Sequence, residues 1–289
     1  MTQWLGFKRA RIVDISAVPA SVESNIGWTG LNRIKTLPII DAAVSSGIGT
    51  AAAPVTVTVT PPKVVPASYA GMYGINLEQH AFCRLEVLTA TGSVFWDSGP
   101  RNIMPSTVAW EDLDWGAENQ WDGRLPRTVW VAGKPAIHVP FPPGLPSAYR
   151  WSLWGGAFQP DGSPASYYTL GYAAAGGGVD LTFAVGSGDE DDPSCVRTPI
   201  DGGGMAVDAG AWIQRNTINL SFLSPADVRR LWMLRRSVGG DLPVAWLPDV
   251  QDPAEAFLFG GLRRFASAAT WLWATSSHHS HSMALEEFP

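Results

Sequence analysis

The chain has 289 residues and a net charge of −6, and 46% of its residues are hydrophobic but only 16% are charged. The length allows two domains or one large β-domain with additions, and the net negative charge argues against broad electrostatic attraction to nucleic acid. Because no apolar stretch is long enough to span a bilayer and the first residues lack the apolar run of a secretion signal, we expect no membrane insertion and assembly in a cytoplasm.

Short alternating segments predict strands in the first half of the chain. Val55–Thr60 alternates valine with threonine and is followed by two prolines, which end a strand. Phe82–Leu88 alternates next, and the Thr91-Gly92 turn returns the chain as residues 93–97, which is the pattern of a hairpin. Residues 149–154 form a further alternating segment. Short strands at this spacing favour a sandwich or a barrel.

The second half of the chain predicts longer strands and charged loops. Residues 189–192 are four consecutive acidic residues, which we expect in a solvated loop rather than a calcium site, because the spacing of an EF-hand is missing. Residues 211–222 alternate over a length that predicts a long strand. Together these features predict a β-rich module in the second half of the chain.

One helix is predicted within this module, at about residues 225–238. Ser224 is a good N-cap, Pro225 suits the first turn, and Gly239 is a typical helix end. Apolar residues share one face, and the remaining surface carries arginines and a tryptophan. We expect three of these side chains to form intersubunit contacts, with a solvated face as the alternative: Arg229, Trp232 and Arg236.

Residues 1–164 resemble the jelly-roll β-sandwich of galactose-binding-like modules, preceded by an N-terminal arm. The resemblance rests on an asparagine-containing strand, an arginine alternating with apolar residues, an Asp-Ser-Gly end and a late strand with arginine between aromatic residues; these are residues 68–77, 82–85, 95–99 and 149–153. It implies a mainly β protein with this sandwich first and the β-rich belt or barrel module, with its one helix, second.

Residues 165–289 resemble structural proteins of the tail tip or baseplate of long-tailed bacteriophages. The resemblance rests on the order of these segments: 170–173, 212–215, 220–223, the helix, 246–249 and 285–287. It implies a distal-tail or upper-baseplate protein in the virion, assembled with copies of itself in a ring that connects the tail tube to the hub and fibre proteins. The low charged fraction and the 14 Trp independently suit a subunit covered by neighbours.

A tryptophan-rich acidic segment suggests a different function, as a carbohydrate-binding or adhesion module that contacts a host surface glycan. Aromatic faces stack on sugar rings, and carboxylates accept hydrogen bonds from hydroxyl groups. The candidate contacts are Trp110, Asp114, Trp115 and Trp121. Glu111 in the same segment gives a third hypothesis, a wall-degrading hydrolase with paired carboxylates. No specific catalytic constellation is found, so we predict that the protein is not an enzyme.

Histidine and cysteine residues predict no cofactor and no metal site. The neighbouring histidines His278, His279 and His281 lack a cysteine or acid close by in sequence to complete a ligand set, so we expect them at the surface. Cys83 and Cys195 do not have a metal-binding spacing, and we expect free buried thiols, with a disulfide as the alternative.

Overall fold

The structure is a computed structural model, and strands dominate the residues that it describes. These residues are 9–36, 41–106, 123–124, 130, 136–182, 188–200, 204–240, 242–250, 252, 254, 256–257, 260–266, 270–273 and 279–287. The strands are β1 (Arg9–Asp14), β2 (Ser21–Ser24), β3 (Trp28–Thr29), β4 (Ala43–Ser45), β5 (Val55–Thr60), β6 (Ala67–Tyr73), β7 (Phe82–Leu88), β8 (Val94–Asp97), β9 (Arg101–Asn102), β10 (Ala136–Gly144), β11 (Ala148–Trp154), β12 (Ala157–Phe158), β13 (Pro164–Ala165), β14 (Thr169–Leu170), β15 (Tyr172–Gly176), β16 (Gly178–Thr182), β17 (Gly188–Ile200), β18 (Gly204–Leu223), β19 (Val244–Leu247), β20 (Gly261–Phe265), β21 (Thr270–Trp273) and β22 (His279–Glu287). A 3₁₀-helix spans Leu31–Lys35, and the α-helix α1 spans Pro225–Val238.

Two antiparallel sheets form a β-sandwich, as the sequence predicts. Sheet I has the strand order β2-β5-β11-β7-β8 with β9 beside β7, and sheet II has the order β10-β6-β15. The valines of β5 point inward and its threonines outward. Inward side chains of both sheets join one apolar core around Trp151, which is almost completely buried. The mainly β, jelly-roll-like fold class is confirmed.

A second, larger sheet is built mostly from the C-terminal half of the chain. Sheet III has the strand order β16-β1-β19-β20-β22-β18-β17, and β21 also pairs with β22. Helix α1 packs on it through Leu231, Leu234 and Val238, which belong to one apolar cluster with strand residues such as Ile12 and Leu285. The helix bounds agree with the prediction. No helix in the described ranges is long and apolar enough to cross a bilayer.

Sheet II is the middle layer of the molecule. Every residue of β6 is buried, because its two faces lie in different cores. Ala70 and Met72 face the sandwich core, whereas Tyr69 and Tyr73 join a cluster that also contains Leu262 of sheet III. A strand that is covered on both faces needs no polar alternation, which is why its sequence has none.

Strand pairing crosses the predicted domain boundary at residues 164 and 165 in both directions. Strand β1, from the N-terminal half, lies between β16 and β19 of sheet III. Strands β14 and β15, from beyond the boundary, pair with β4 and β6 on the sandwich side. The division into two domains remains a prediction, but the two halves of the sequence share their sheets.

The acidic residues 189–192 lie in strand β17, so the prediction of a loop there is wrong. Asp189 pairs with Asn216 and Asp192 with Ile213 in an antiparallel ladder with β18. Backbone pairing over twelve positions outweighs the low strand preference of acidic residues. The pairing of β18 with β22 ends at Arg215. From there toward Gly204, strand β18 pairs with β17, and the two strands form a ribbon.

Candidate functional site

The structure describes the predicted subunit contacts but not the predicted carbohydrate contacts. Trp110, Asp114, Trp115 and Trp121 lie outside the described residues, and so does Glu111. Their role therefore stays a prediction. The helix residues Arg229, Trp232 and Arg236 are described, and all three are exposed.

An aromatic pair, one member exposed and the other half-buried, lies on the outer face of sheet I. Strand alternation turns Cys83 and Leu153 inward, so the neighbouring Phe82 and Trp154 point outward. These two residues are paired directly across β7 and β11. Their rings are stacked at 5.6 Å between centroids and 5° between planes. Phe82 is 37% exposed, which is unusual for a phenylalanine with a stacking partner. We call Phe82 and Trp154 the aromatic platform.

A tight polar turn borders the aromatic platform. The backbone N–H of Ala81 donates to the carbonyl of Glu78 at 2.9 Å, and that of Glu78 donates to the carbonyl of Gly156 at 3.0 Å, just after Trp154. Gly155 has a φ of 114° and lies against Ala81, where a Cβ atom would collide. The close approach brings the polar residues of the turn beside the rings. Of these, His80 is exposed and hydrogen-bonds to Arg124.

Four other charged residues on this face of sheet I form ion pairs. Arg84 contacts Asp97 at 2.7 Å, and Arg150 contacts Glu86 at 2.8 Å. The hydrogen bond from Arg84 lowers the pKa of Asp97. The contact with Arg84 thus favours the ionised form of Asp97. This charge network organises the surface beside the platform without forming a hydrolytic pair.

A second exposed surface lies on helix α1. Arg229, Trp232, Met233 and Arg236 are spaced so that they share one side of the helix. Trp232 is 48% exposed and Met233 is 56% exposed. The Arg236 guanidinium lies 4.8 Å from the centroid of the Trp232 ring, a cation–π contact that holds both side chains along the helix. We call these four residues the helix face.

The histidine and cysteine predictions have mixed outcomes. His281 is only 3% exposed, so the expectation of surface histidines is wrong for it, because strand alternation in β22 turns it toward the protein. His279 is half-buried, and His278 lies outside the described residues. Across the described ranges no three metal-ligating residues cluster. Cys83 is free and buried, as expected, and burial raises the pKa of its thiol to about 12.

Comparison with known proteins gives few matches. No protein-family model and no curated protein matches the chain. One similar solved structure is CBM32-3 from a family 31 glycoside hydrolase from Clostridium perfringens, with a TM-score of 0.37, 11% identity and coverage of 57% of this chain and 94% of that one. Another is a mutant of the lectin binding domain of lectinolysin complexed with Lewis b, with a TM-score of 0.33, 8% identity and coverage of 57% and 95%. Both similarities are low, so no function is carried over from either structure.

Proposed function

We propose that the sandwich binds carbohydrate through the aromatic platform on sheet I. The observation that supports this function is the stack of exposed Phe82 on half-buried Trp154 at the surface of sheet I. Aromatic rings at a protein surface leave apolar area in contact with water. A ligand that covers this area removes it from water, which stabilises the protein–ligand complex. A sugar ring presents a flat C–H face to such aromatic groups and hydroxyl groups at its edge.

The residues around the platform suit a neutral sugar. His80 and Glu78 lie in the turn that precedes Phe82 and give this border of the platform a polar character. The charged residues farther along the face are already paired with each other, so they add little net charge for a ligand to match. Stacking with a polar edge contact therefore supplies the recognition, as in other largely pre-formed ligand sites.

Binding of neutral glycans to the wild-type protein and to Trp154→Ala tests this function. Removal of the indole takes away one of the two stacking surfaces, so we expect affinity for any glycan found on an array to fall about tenfold or more, equivalent to about 1.4 kcal/mol. Isothermal titration with the best glycan measures the change. The matched control is Phe95→Ala, an exposed phenylalanine on β8 of the same sheet.

Two results would contradict the proposal. One is a wild-type protein that binds no glycan on the array. The other is a glycan whose affinity is unchanged in Trp154→Ala but lost in Phe95→Ala. Circular dichroism of each variant separates loss of the contact from loss of the fold.

A second candidate function is the ring subunit of a phage tail tip or baseplate, with copies of itself, tail tube, hub and fibre proteins as partners. It is favoured by the helix face, where two large apolar side chains are exposed between arginines. The paired extension of β17 and β18 adds strand edges of the kind that neighbouring chains complete. The two functions are compatible, because the platform and the helix face belong to different sheets.

A further inference from the structure

A cavity of about 190 Å³ lies between the sandwich and the C-terminal part of the chain. The sandwich side contributes Trp96, Arg101 and His138, and the other side contributes Leu247, Val250 and Phe257. The cavity is smaller than the roughly 300–1,000 Å³ of sites for drug-sized ligands, so it suits a small molecule. Its walls combine aromatic and aliphatic surface with polar side chains that include Ser98, Arg101 and His138.

Arg101 brings a positively charged side chain to the wall of the cavity. Its guanidinium is half-buried, and it forms no hydrogen bond or ion pair with any of the residues that the structure describes. An arginine presents five N–H donors in a planar fork, which matches a carboxylate in two parallel hydrogen bonds. With respect to the described part of the chain, this half-buried guanidinium is therefore available to bind an anion.

Another polar group of the cavity is His138, which contacts two buried tyrosines. The hydroxyl of Tyr69 lies 2.7 Å from His138 Nδ1 and 2.6 Å from the hydroxyl of Tyr73. Tyr73 finds no other acceptor among the described residues, so its proton is satisfied only when Tyr73 donates to Tyr69 and Tyr69 donates to Nδ1. This order places the ring proton on Nε2, which becomes a hydrogen-bond donor.

The charge state of these groups leaves the cavity positive. Burial, together with the nearby charges of Arg263 and Arg101, lowers the pKa of His138 to about 3, so the imidazole is neutral near pH 7. Burial also raises the pKa of Tyr69, which keeps its hydroxyl protonated. The positive charge of Arg101 is thus not balanced by His138 or Tyr69.

We propose that this cavity binds a small organic carboxylate. The carboxylate pairs with the Arg101 guanidinium and accepts a hydrogen bond from His138 Nε2, while the organic part lies against Trp96 and Phe257. The apolar walls favour an organic body over a hydrated inorganic anion, because phosphate or sulfate would leave its remaining oxygens facing apolar surface. The site is distinct from the aromatic platform, so a test of carboxylate binding does not depend on whether the protein binds glycans.

Titration of the full chain with benzoate, glucuronate, acetate and inorganic phosphate, followed by NMR of the histidine ring resonances, tests the site. We expect an organic carboxylate to bind and to shift the His138 resonances, and the matched neutral amide, benzamide, to leave them unchanged. Neutralisation of Arg101 by the ligand raises the pKa of His138 in the complex.

Variants assign the contact. Arg101→Gln keeps polarity but removes the charge, and we expect it to weaken carboxylate binding at least about tenfold. Arg33→Gln, at an exposed arginine of the 3₁₀-helix, is the matched control and keeps full affinity. Trp154→Ala also keeps it, which separates this site from the platform.

Absence of any His138 shift with all three carboxylates would overturn the proposal. So would preferential binding of phosphate, or equal affinity in Arg101→Gln and the wild-type protein. The wild-type titration decides the question even if Arg101→Gln fails to fold.

Discussion

At the scale of single residues, one missing side chain makes room for the polar network behind the cavity. Gly71 pairs with His138 across β6 and β10, and a Cβ atom there would collide with the Tyr69 hydroxyl. The glycine thus lets Tyr69, Tyr73 and His138 meet between two apolar layers. Buried polar groups are tolerated only when they are hydrogen-bonded, and this chain of hydroxyl groups satisfies that condition.

Replacement of His138 is predicted to change the acid sensitivity of the protein. The folded state holds the pKa of His138 at about 3, whereas that of an unfolded chain is about 6.5. Between these values the unfolded chain binds more protons, so stability is lost as pH falls, by at most about 1.4 kcal/mol per pH unit. We expect His138→Gln to flatten this acid limb in urea unfolding measured from neutral to acidic pH.

The exposed His80 supplies the control, since His80→Gln also removes a histidine but leaves the buried network intact. We expect the steep acid limb to persist in that variant. Equal slopes for His138→Gln and the wild-type protein would refute the buried-histidine explanation.

Individual side-chain orientations could be predicted from the sequence, but their partners could not. Alternation in Val55–Thr60 correctly separates buried valines from outward threonines. The same rule turns Phe82 and Trp154 outward. Two large aromatic residues at outward positions of neighbouring strands indicate a surface platform, and the sequence analysis missed this signal. Their stacking depends on the register between β7 and β11, which are more than fifty positions apart and which no local pattern fixes.

At the scale of secondary-structure elements, helix α1 is the part that the sequence specifies most completely. Its cap, its amphipathic face and its glycine end are all local signals, and the structure has each of them. Strand β1 is the opposite case. Its place between β16 and β19 depends on contacts more than 160 positions away, so a local pattern predicts only an arm there.

The N-cap of α1 gives a prediction for stability. Ser224 Oγ accepts a hydrogen bond from the backbone N–H of Asp227 at 3.2 Å and donates to the Asp227 carboxylate at 2.6 Å. Ser224→Ala leaves that N–H without its cap, and we expect the free energy of unfolding to fall by about 1 kcal/mol in urea titrations. Ser224→Thr retains a capping hydroxyl and serves as the control. An alanine variant as stable as the wild-type protein would show that the cap contributes nothing.

At the scale of the whole molecule, the two ends of the chain depend on each other. Sheet III needs β1 from the N-terminal half, and sheet II needs β15 from the second half. The cluster around Tyr69, Tyr73 and Leu262 then joins the two sheets through apolar contact. The sequence predicts both sheets but not this exchange, because a division at one boundary assumes that each half completes its own sheets.

The proposed surfaces are separated by this architecture. The aromatic platform lies on sheet I, the cavity between sheet II and the C-terminal part, and the helix face on the element that covers sheet III. Substitution at one surface therefore leaves the packing of the others unchanged. The aromatic platform and the helix face therefore lie on different secondary-structure elements, so variants at each can be tested separately.

Self-association through the helix face is predicted to set the mass of the protein in solution. Trp232 and Met233 expose apolar surface that a second copy would cover, and Arg229 and Arg236 flank it with positive charge. We expect light scattering to give a mass above that of one chain and Trp232→Ala or Arg229→Glu to lower it. Arg33→Glu makes the same charge change at an exposed arginine on the 3₁₀-helix and leaves the mass unchanged. A single-chain mass at every protein concentration would rule out a ring held together by this face, because a ring contains several copies of the chain. An unchanged mass in Trp232→Ala would show that this tryptophan does not contribute to the interface.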